Sequence, residues 1–191
     1  MTDKEYKLII GGLLHDIGKV IYRTGDGRKH SKSGYDYLKD EVGIDDSIIL
    51  DSVLYHHADA IKNANIEDDS FAYITYIADN IASATDRRKK ENEDYGFEIT
   101  QPLQPVFNIL NGNNADMYYH PLELTDKINY PTDEMYPFDN TFYFKIKSDI
   151  LDCLKGIELS SPYVNSLLSI LESTLTYIPS STSKSEVADI S

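Results

Sequence analysis

The chain has 191 residues, a formal net charge of −14 and 41% hydrophobic content, enough for one domain with a real core. Bulk charge of this sign excludes a free-standing nucleic-acid binder that works by electrostatics alone. No apolar run is long enough to cross a bilayer, "MTDKEYKLII" lacks a signal-peptide layout, and the single cysteine, Cys153, excludes an intrachain disulfide; together these read as a cytoplasmic protein with no membrane partner. The charge is uneven: residues 1–40 hold 8 Lys+Arg against 6 Asp+Glu, and the remainder 10 against 26. The N-terminal segment is therefore the least repulsive place for a phosphate.

In chain order, residues 3–22 read as one helix opening at Thr2 or Asp3, and "TGDGR" (24–28) as a turn. A second helix, 31–42, ends at Gly43. Asp45 or Asp46 caps a third, "DSIILDSVLYHH", followed by a polar connector, 58–69. A fourth helix runs from about Ser70 through "DRRKK", with apolar positions 71, 74, 77, 78 and 81 as its buried face. Residues 91–140 hold five of the seven prolines and little helical period; "LQPVFNIL" and "MYYHPLEL" are candidates for a short β-ribbon. Two helices follow, 140–157 and 161–178, the second with Ser161 as N-cap and Pro162 at the first helical position. The tail 179–191 is Ser-rich and polar. Cys153 reads as a small core residue.

Four of the five histidines, His15, His30, His56 and His57, fall in the first 57 residues. His15 and Asp16 interrupt the apolar run Leu13, Leu14, Ile17, Val20, Ile21. His56 and His57 end the stripe Ile48, Ile49, Val53, Leu54. Asp79 sits between Ile77-Ala78 and Ile81-Ala82. An unpaired buried carboxylate is costly, so these groups need a hydrogen-bonded pairing, a basic neighbour or a metal ion. A single buried His is more often structural than a ligand, and His120 in the Pro-rich stretch takes that reading. Several His and Asp on separate apolar helices fit it poorly. Imidazole with carboxylate suits a divalent transition metal rather than calcium, and a pair of such ions is a common arrangement for phosphodiester hydrolysis. Arg87 and Arg88 read equally as a solvated helix end or as phosphate contacts. The 15 tyrosines are core and interface packing; they could offer base-stacking platforms, but nothing orders them as a motif.

"LLHDIGK" is the signature of the HD superfamily of metal-dependent phosphohydrolases. Taken with "LLHDIGKVIYR", "HSKSGYDYL", "LYHH", "AYITYIADNIASATDRR" and "YIPSSTSKSEVADIS" in that order, the chain resembles the N-terminal HD nuclease domain of the large, signature subunit of type III-A CRISPR effector complexes. The motifs are dense over 8–90 and return at 176–191. The resemblance implies a mainly α, permuted HD-superfamily helical domain. The implied organisation is HD metal-site helices over 1–90, an irregular insertion over 91–140, two completing helices over 141–178, and a tail leading toward further domains.

It also implies a single-strand DNA nuclease using one or two divalent ions, typically manganese, nickel or cobalt. Its partners would be the other subunits of the complex with guide RNA and target RNA, and target pairing would switch it on. Carried over by position, the implied metal ligands are His15, Asp16, His30, His56 and Asp79, with Asp16 bridging and His57 open. His15, Asp16 and Lys19 are the implied catalytic residues. Lys19 would bind a phosphate oxygen, helped by Arg87 and Arg88, with Gly18 letting the backbone come close. In the family the chain continues after "ADIS" into a helix with another His and two palm domains that make cyclic oligoadenylate. Two alternatives are an HD phosphohydrolase acting on nucleotides or cyclic nucleotides, and a non-catalytic docking module with a structural metal.

Overall fold

Thr2 starts the first helix in both directions. Its hydroxyl accepts from the Glu5 amide at 3.3 Å while its own amide donates to the Glu5 carboxylate at 2.6 Å, a capping box of the kind worth about 1 kcal/mol. The computed structural model describes residues 2–84, 100, 102–105, 108, 110–113, 115–120, 130–176 and 178. In chain order it contains α1 (Asp3–Leu14), α2 (Gly18–Tyr22), α3 (His30–Asp36) running on into a π-helical segment (Tyr37–Val42), α4 (Ser47–Leu54), α5 (Ala58–Lys62) and α6 (Ala72–Ala84). After the irregular stretch come α7 (Asn140–Lys155), a 3₁₀ turn (Ser161–Tyr163) and α8 (Val164–Leu175). No helix among the described residues is long and apolar enough to cross a membrane.

The mainly helical expectation holds, with specific departures. The helix expected over 3–22 is two helices, because the chain leaves the α register at His15-Asp16-Ile17. There the Ile17 amide bonds back to Leu14 O, and that of Lys19 to Asp16 O, three residues each rather than four. The turn leads into Gly18, whose missing side chain is where the chain crosses α3. A Cβ there would lie 1.8 Å from the His30 carbonyl oxygen and 2.8 Å from the Gly34 amide. Two Cβ-less residues thus let α2 and α3 pack backbone on backbone.

The second helix ends as expected at Gly43, whose φ of +88° suits glycine. Asp46 caps α4, accepting from the Ile48 and Ile49 amides at 3.0 and 3.3 Å. This helix stops at Leu54 rather than running to His57, and the connector expected over 58–69 contains the short α5.

The core joins Ile10 and Leu14 of α1, Val20 and Ile21 of α2, Tyr37 and Leu38, Ile49 and Val53 of α4, and Phe142, Ile146 and Ile150 of α7. Phe138 stacks on Phe142 at 4.1 Å. Cys153 is half-buried at its edge. Helix α6 departs most from its expected packing. Its periodic apolar face is turned outward, Ile74, Ile77 and Ile81 being 49%, 54% and 69% exposed. It is anchored instead by buried Ala72 and Thr75, the Thr75 hydroxyl donating to that of Ser52 at 3.1 Å.

No strand forms among the described residues. The expected ribbon reduces to one antiparallel bridge, Tyr118 with Thr132, and a Tyr119 amide bonded to Leu103 O. Pro102, Pro105 and Pro131, which lack amide donors, flank these pairings. Ser161 and Pro162 lie in the 3₁₀ turn, so α8 begins at Val164 rather than directly after a Ser161 cap. His120 Nε2 sits 2.8 Å from the Thr132 hydroxyl and 3.1 Å from Glu134 O, a structural role.

Candidate metal centre

Four pieces of chain deliver the His/Asp set to one place. His15 and Asp16 stand in the tight turn between α1 and α2, where the backbone keeps right-handed helical angles, and they reach the centre from adjacent sides. His30 opens α3, beside Gly18. His56 and His57 follow α4 where the helix ends, and Asp79 reaches in from the middle of α6.

Asp16 lies at the centre. Its Oδ2 is 3.4 Å from His15 Nε2 and 2.6 Å from Lys19 Nζ, and its Oδ1 is 3.5 Å from His30 Nε2 and 3.6 Å from His56 Nε2. Asp79 Oδ1 stands 3.7 Å from His15 Nε2. On the other flank, His30 Nε2 is 3.2 Å from His56 Nε2 and 2.7 Å from His57 Nε2. The ligand atoms of His30, His56 and His57 all lie within 4.8 Å of one another.

Backbone carbonyls fix two of the rings. His15 Nδ1 donates to Gly12 O and His56 Nδ1 to Val53 O, each at 2.7 Å. A carbonyl only accepts, so in the neutral ring the proton is on Nδ1 and the Nε2 lone pair faces the site. Burial and the neighbouring His57 hold His56 down to about 3, neutral near pH 7; burial and His30 also lower His57. Burial pulls His15 down, but the Asp16 carboxylate, the Gly12 carbonyl and Asp79 outweigh it and leave it raised. Burial pushes Asp16 up, yet His15, His30 and Lys19 hold it well below the usual carboxylate range.

These residues fit a divalent cation. His15 Nε2 and Asp16 Oδ1 are buried with no hydrogen-bond partner among the described residues, a state that is expensive unless something else satisfies them. Nε2 atoms 2.7 and 3.2 Å apart likewise invite a shared proton or a shared cation.

The structure gathers all five expected ligands, and it adds His57. Its signal was the doubled histidine at the end of α4. Lys19 is paired with Asp16 rather than standing free. Gly18 is packed against α3 rather than open to a phosphate, a correction to the role expected of it. Arg87 and Arg88 lie outside the described residues.

Residues 2–84 match the family described as "HD domain". Over 99% of its length the chain is 38% identical to the "CRISPR system single-strand-specific deoxyribonuclease Cas10/Csm1 (subtype III-A)" of Enterococcus italicus. It is 38% identical over its whole length to the protein of that name from Streptococcus thermophilus, and 36% to that of Mycobacterium tuberculosis.

Over its whole length this chain is similar to one part of the Cas10/Csm1 proteins.

It spans about a quarter of the curated relatives it matches: 27%, 26% and 27% of those three. Among solved structures, "Crystal structure of Csm1 in T.onnurineus" superposes with a TM-score of 0.64 at 23% identity, over 95% of this chain and 25% of that one. "Crystal structure of Csm1-Csm4 subcomplex in the type III-A CRISPR-Csm interference complex" gives 0.61 at 21%, over 94% and 25%. At those identities the superpositions establish the fold alone.

Proposed function

We propose that this HD domain is a divalent-metal-dependent nuclease that hydrolyses phosphodiester bonds in single-stranded DNA, as part of a type III-A CRISPR effector. The observation that carries the reading is the pair of orphaned buried atoms, His15 Nε2 and Asp16 Oδ1, facing three convergent imidazoles. The substrate is that of the similar proteins, which are single-strand-specific deoxyribonucleases. His15, Asp16, His30, His56, His57 and Asp79 would hold the metal. A bound divalent cation lowers the pKa of a water and offsets charge on a phosphate; manganese, nickel and cobalt suit the mixed imidazole–carboxylate donors.

The residues divide the remaining work. Gly12 O and Val53 O fix the tautomers of His15 and His56, so no reorganisation is needed to present a lone pair. Asp16, with Oδ1 toward His30 and His56 and Oδ2 toward His15 and Lys19, would supply the central carboxylate to the divalent cation. Lys19 balances its charge at 2.6 Å, and its half-exposed ammonium would meet a phosphate oxygen. Target-RNA switching and docking of the other subunits belong to the same reading, as does the synthesis of cyclic oligoadenylate by palm domains of a longer polypeptide.

The test is cleavage of an end-labelled single-stranded DNA in manganese by the wild type and by His15→Ala/Asp16→Ala. The wild type cuts, the variant falls to the no-protein background, and both give the same helical circular dichroism. Equal cutting by both refutes the reading. Turnover of a nucleotide or cyclic nucleotide with intact DNA redirects it to another HD phosphohydrolase.

A further inference from the structure

The outward face of α2 is left over by both the fold and the metal centre. Gly18, Val20 and Ile21 are buried, whereas Lys19 and Tyr22 are exposed. Asp16, Lys19 and Tyr22 follow one another at i, i+3 and i+6. Asp16 pairs with Lys19, and Tyr22 stands one turn beyond Lys19 at the exposed end of α2. Lys19 and Tyr22 are one turn apart, about 5–6 Å between Cβ atoms, on the scale that separates a phosphate from a neighbouring base.

The Tyr22 ring is 50% exposed, while Tyr37 and Tyr143 of the core are 1% exposed. Its position is set from below. The next residue, Arg23, turns inward and is buried. Its Nη1 donates to the Tyr143 hydroxyl at 3.2 Å, with the guanidinium 5.4 Å above that ring. Tyr22 is thus a half-exposed aromatic residue on an anchored helix end, and with only two side-chain torsions it loses few rotamers when something lies on it.

We infer that Tyr22 is a base-stacking platform for the single-stranded substrate, seating one base while the adjoining phosphate meets Lys19 and the metal centre. This rests on the nuclease reading above. The chemistry favours it because a chain of net charge −14 gains little from bulk attraction to phosphates, and stacking supplies affinity that does not depend on charge. Stacking is also tolerant of sequence, since every base has a π face.

The experiment measures binding of the intact chain in EDTA, by fluorescence anisotropy. The ligands are an oligothymidylate of about 12 nucleotides and a base-free deoxyribose oligomer of equal length. Tyr22→Ala weakens oligothymidylate binding about tenfold and leaves the base-free oligomer unchanged, Tyr22→Phe binds like wild type, and melting temperatures stay together. The inference is overturned if Tyr22→Ala binds oligothymidylate as tightly as wild type, if Tyr22→Phe loses as much as Tyr22→Ala, or if the wild type does not prefer the base-bearing strand. Manganese cleavage by the same proteins separates the two readings. Cutting with Tyr22-independent binding removes the platform alone. Tyr22-dependent binding without cutting removes the nuclease and keeps the platform.

Discussion

The two flanks of the metal centre are assembled alike and charged differently. On the flank of His30, His56 and His57, burial and crowding of imidazoles press His56 and His57 toward the neutral form. On the flank of His15, Asp16 and Asp79, the carboxylates pull His15 the other way, and Asp16 stays ionised. One flank offers lone pairs already in ligating form. The other concentrates negative charge that Lys19 covers only in part. What joins them is the crossing of α2 and α3 at Gly18 and Gly34, since Asp16 hangs from one side and His30 from the other.

The largest way to break that pairing is at the crossing. Gly18→Ala puts a methyl where a backbone oxygen lies 1.8 Å from the Cβ position, so the helices must separate. The expected loss is about 3 kcal/mol, or roughly 10 °C in melting temperature, with weakened metal binding. A variant that melts with wild type would show the crossing to be loose.

Next come single deletions on opposite flanks. His57→Ala and Asp79→Ala should each weaken manganese or nickel binding by about 100-fold, read by isothermal titration. An effect from only one of them would mean that a single flank holds the ion.

The mildest test is pH. With His56 held at about 3 against about 6.5 unfolded, the unfolded chain takes up a proton first as pH falls. That contribution to stability therefore declines from about pH 6.5 downward, by about 2 kcal/mol at pH 5. His15, raised, acts with the opposite sign: its contribution is full below about 6.5 and is lost as pH rises. Metal-free melting temperature should drop from pH 7 to pH 5, and drop less in His56→Gln. A steeper drop in that variant would contradict the neutral assignment of His56.

The gathering of the centre was legible because His15, Asp16, His56, His57 and Asp79 interrupt apolar patterns, and such interruptions need a common explanation; His30, among polar neighbours, came only from the family resemblance. Asp46, Gly43 and the Pro-rich stretch were legible from turn and cap chemistry. The break at His15–Ile17 was not, since nothing in those three residues disfavours a helix; nor was the close crossing of Gly18 with Gly34, 16 positions on. Glycine announces a close approach but not what approaches. His57 could not be assigned, because adjacent residues on a helix diverge, and only the early end of α4 lets both histidines turn inward. The apolar row of α6 shows a further limit. Ile74, Ile77 and Ile81 obey the same period as a buried face, and period tells which residues share a side, not whether anything covers that side.

The meeting of Gly18 with His30 and Gly34 also limits what substitution can do. A crowded pair of side chains can drift, one growing as the other shrinks, and keep its total volume. Here both partners already have no side chain, so neither can yield to a larger neighbour. The alignment of Asp16 with His30 thus depends on a position with no smaller residue left to retreat to.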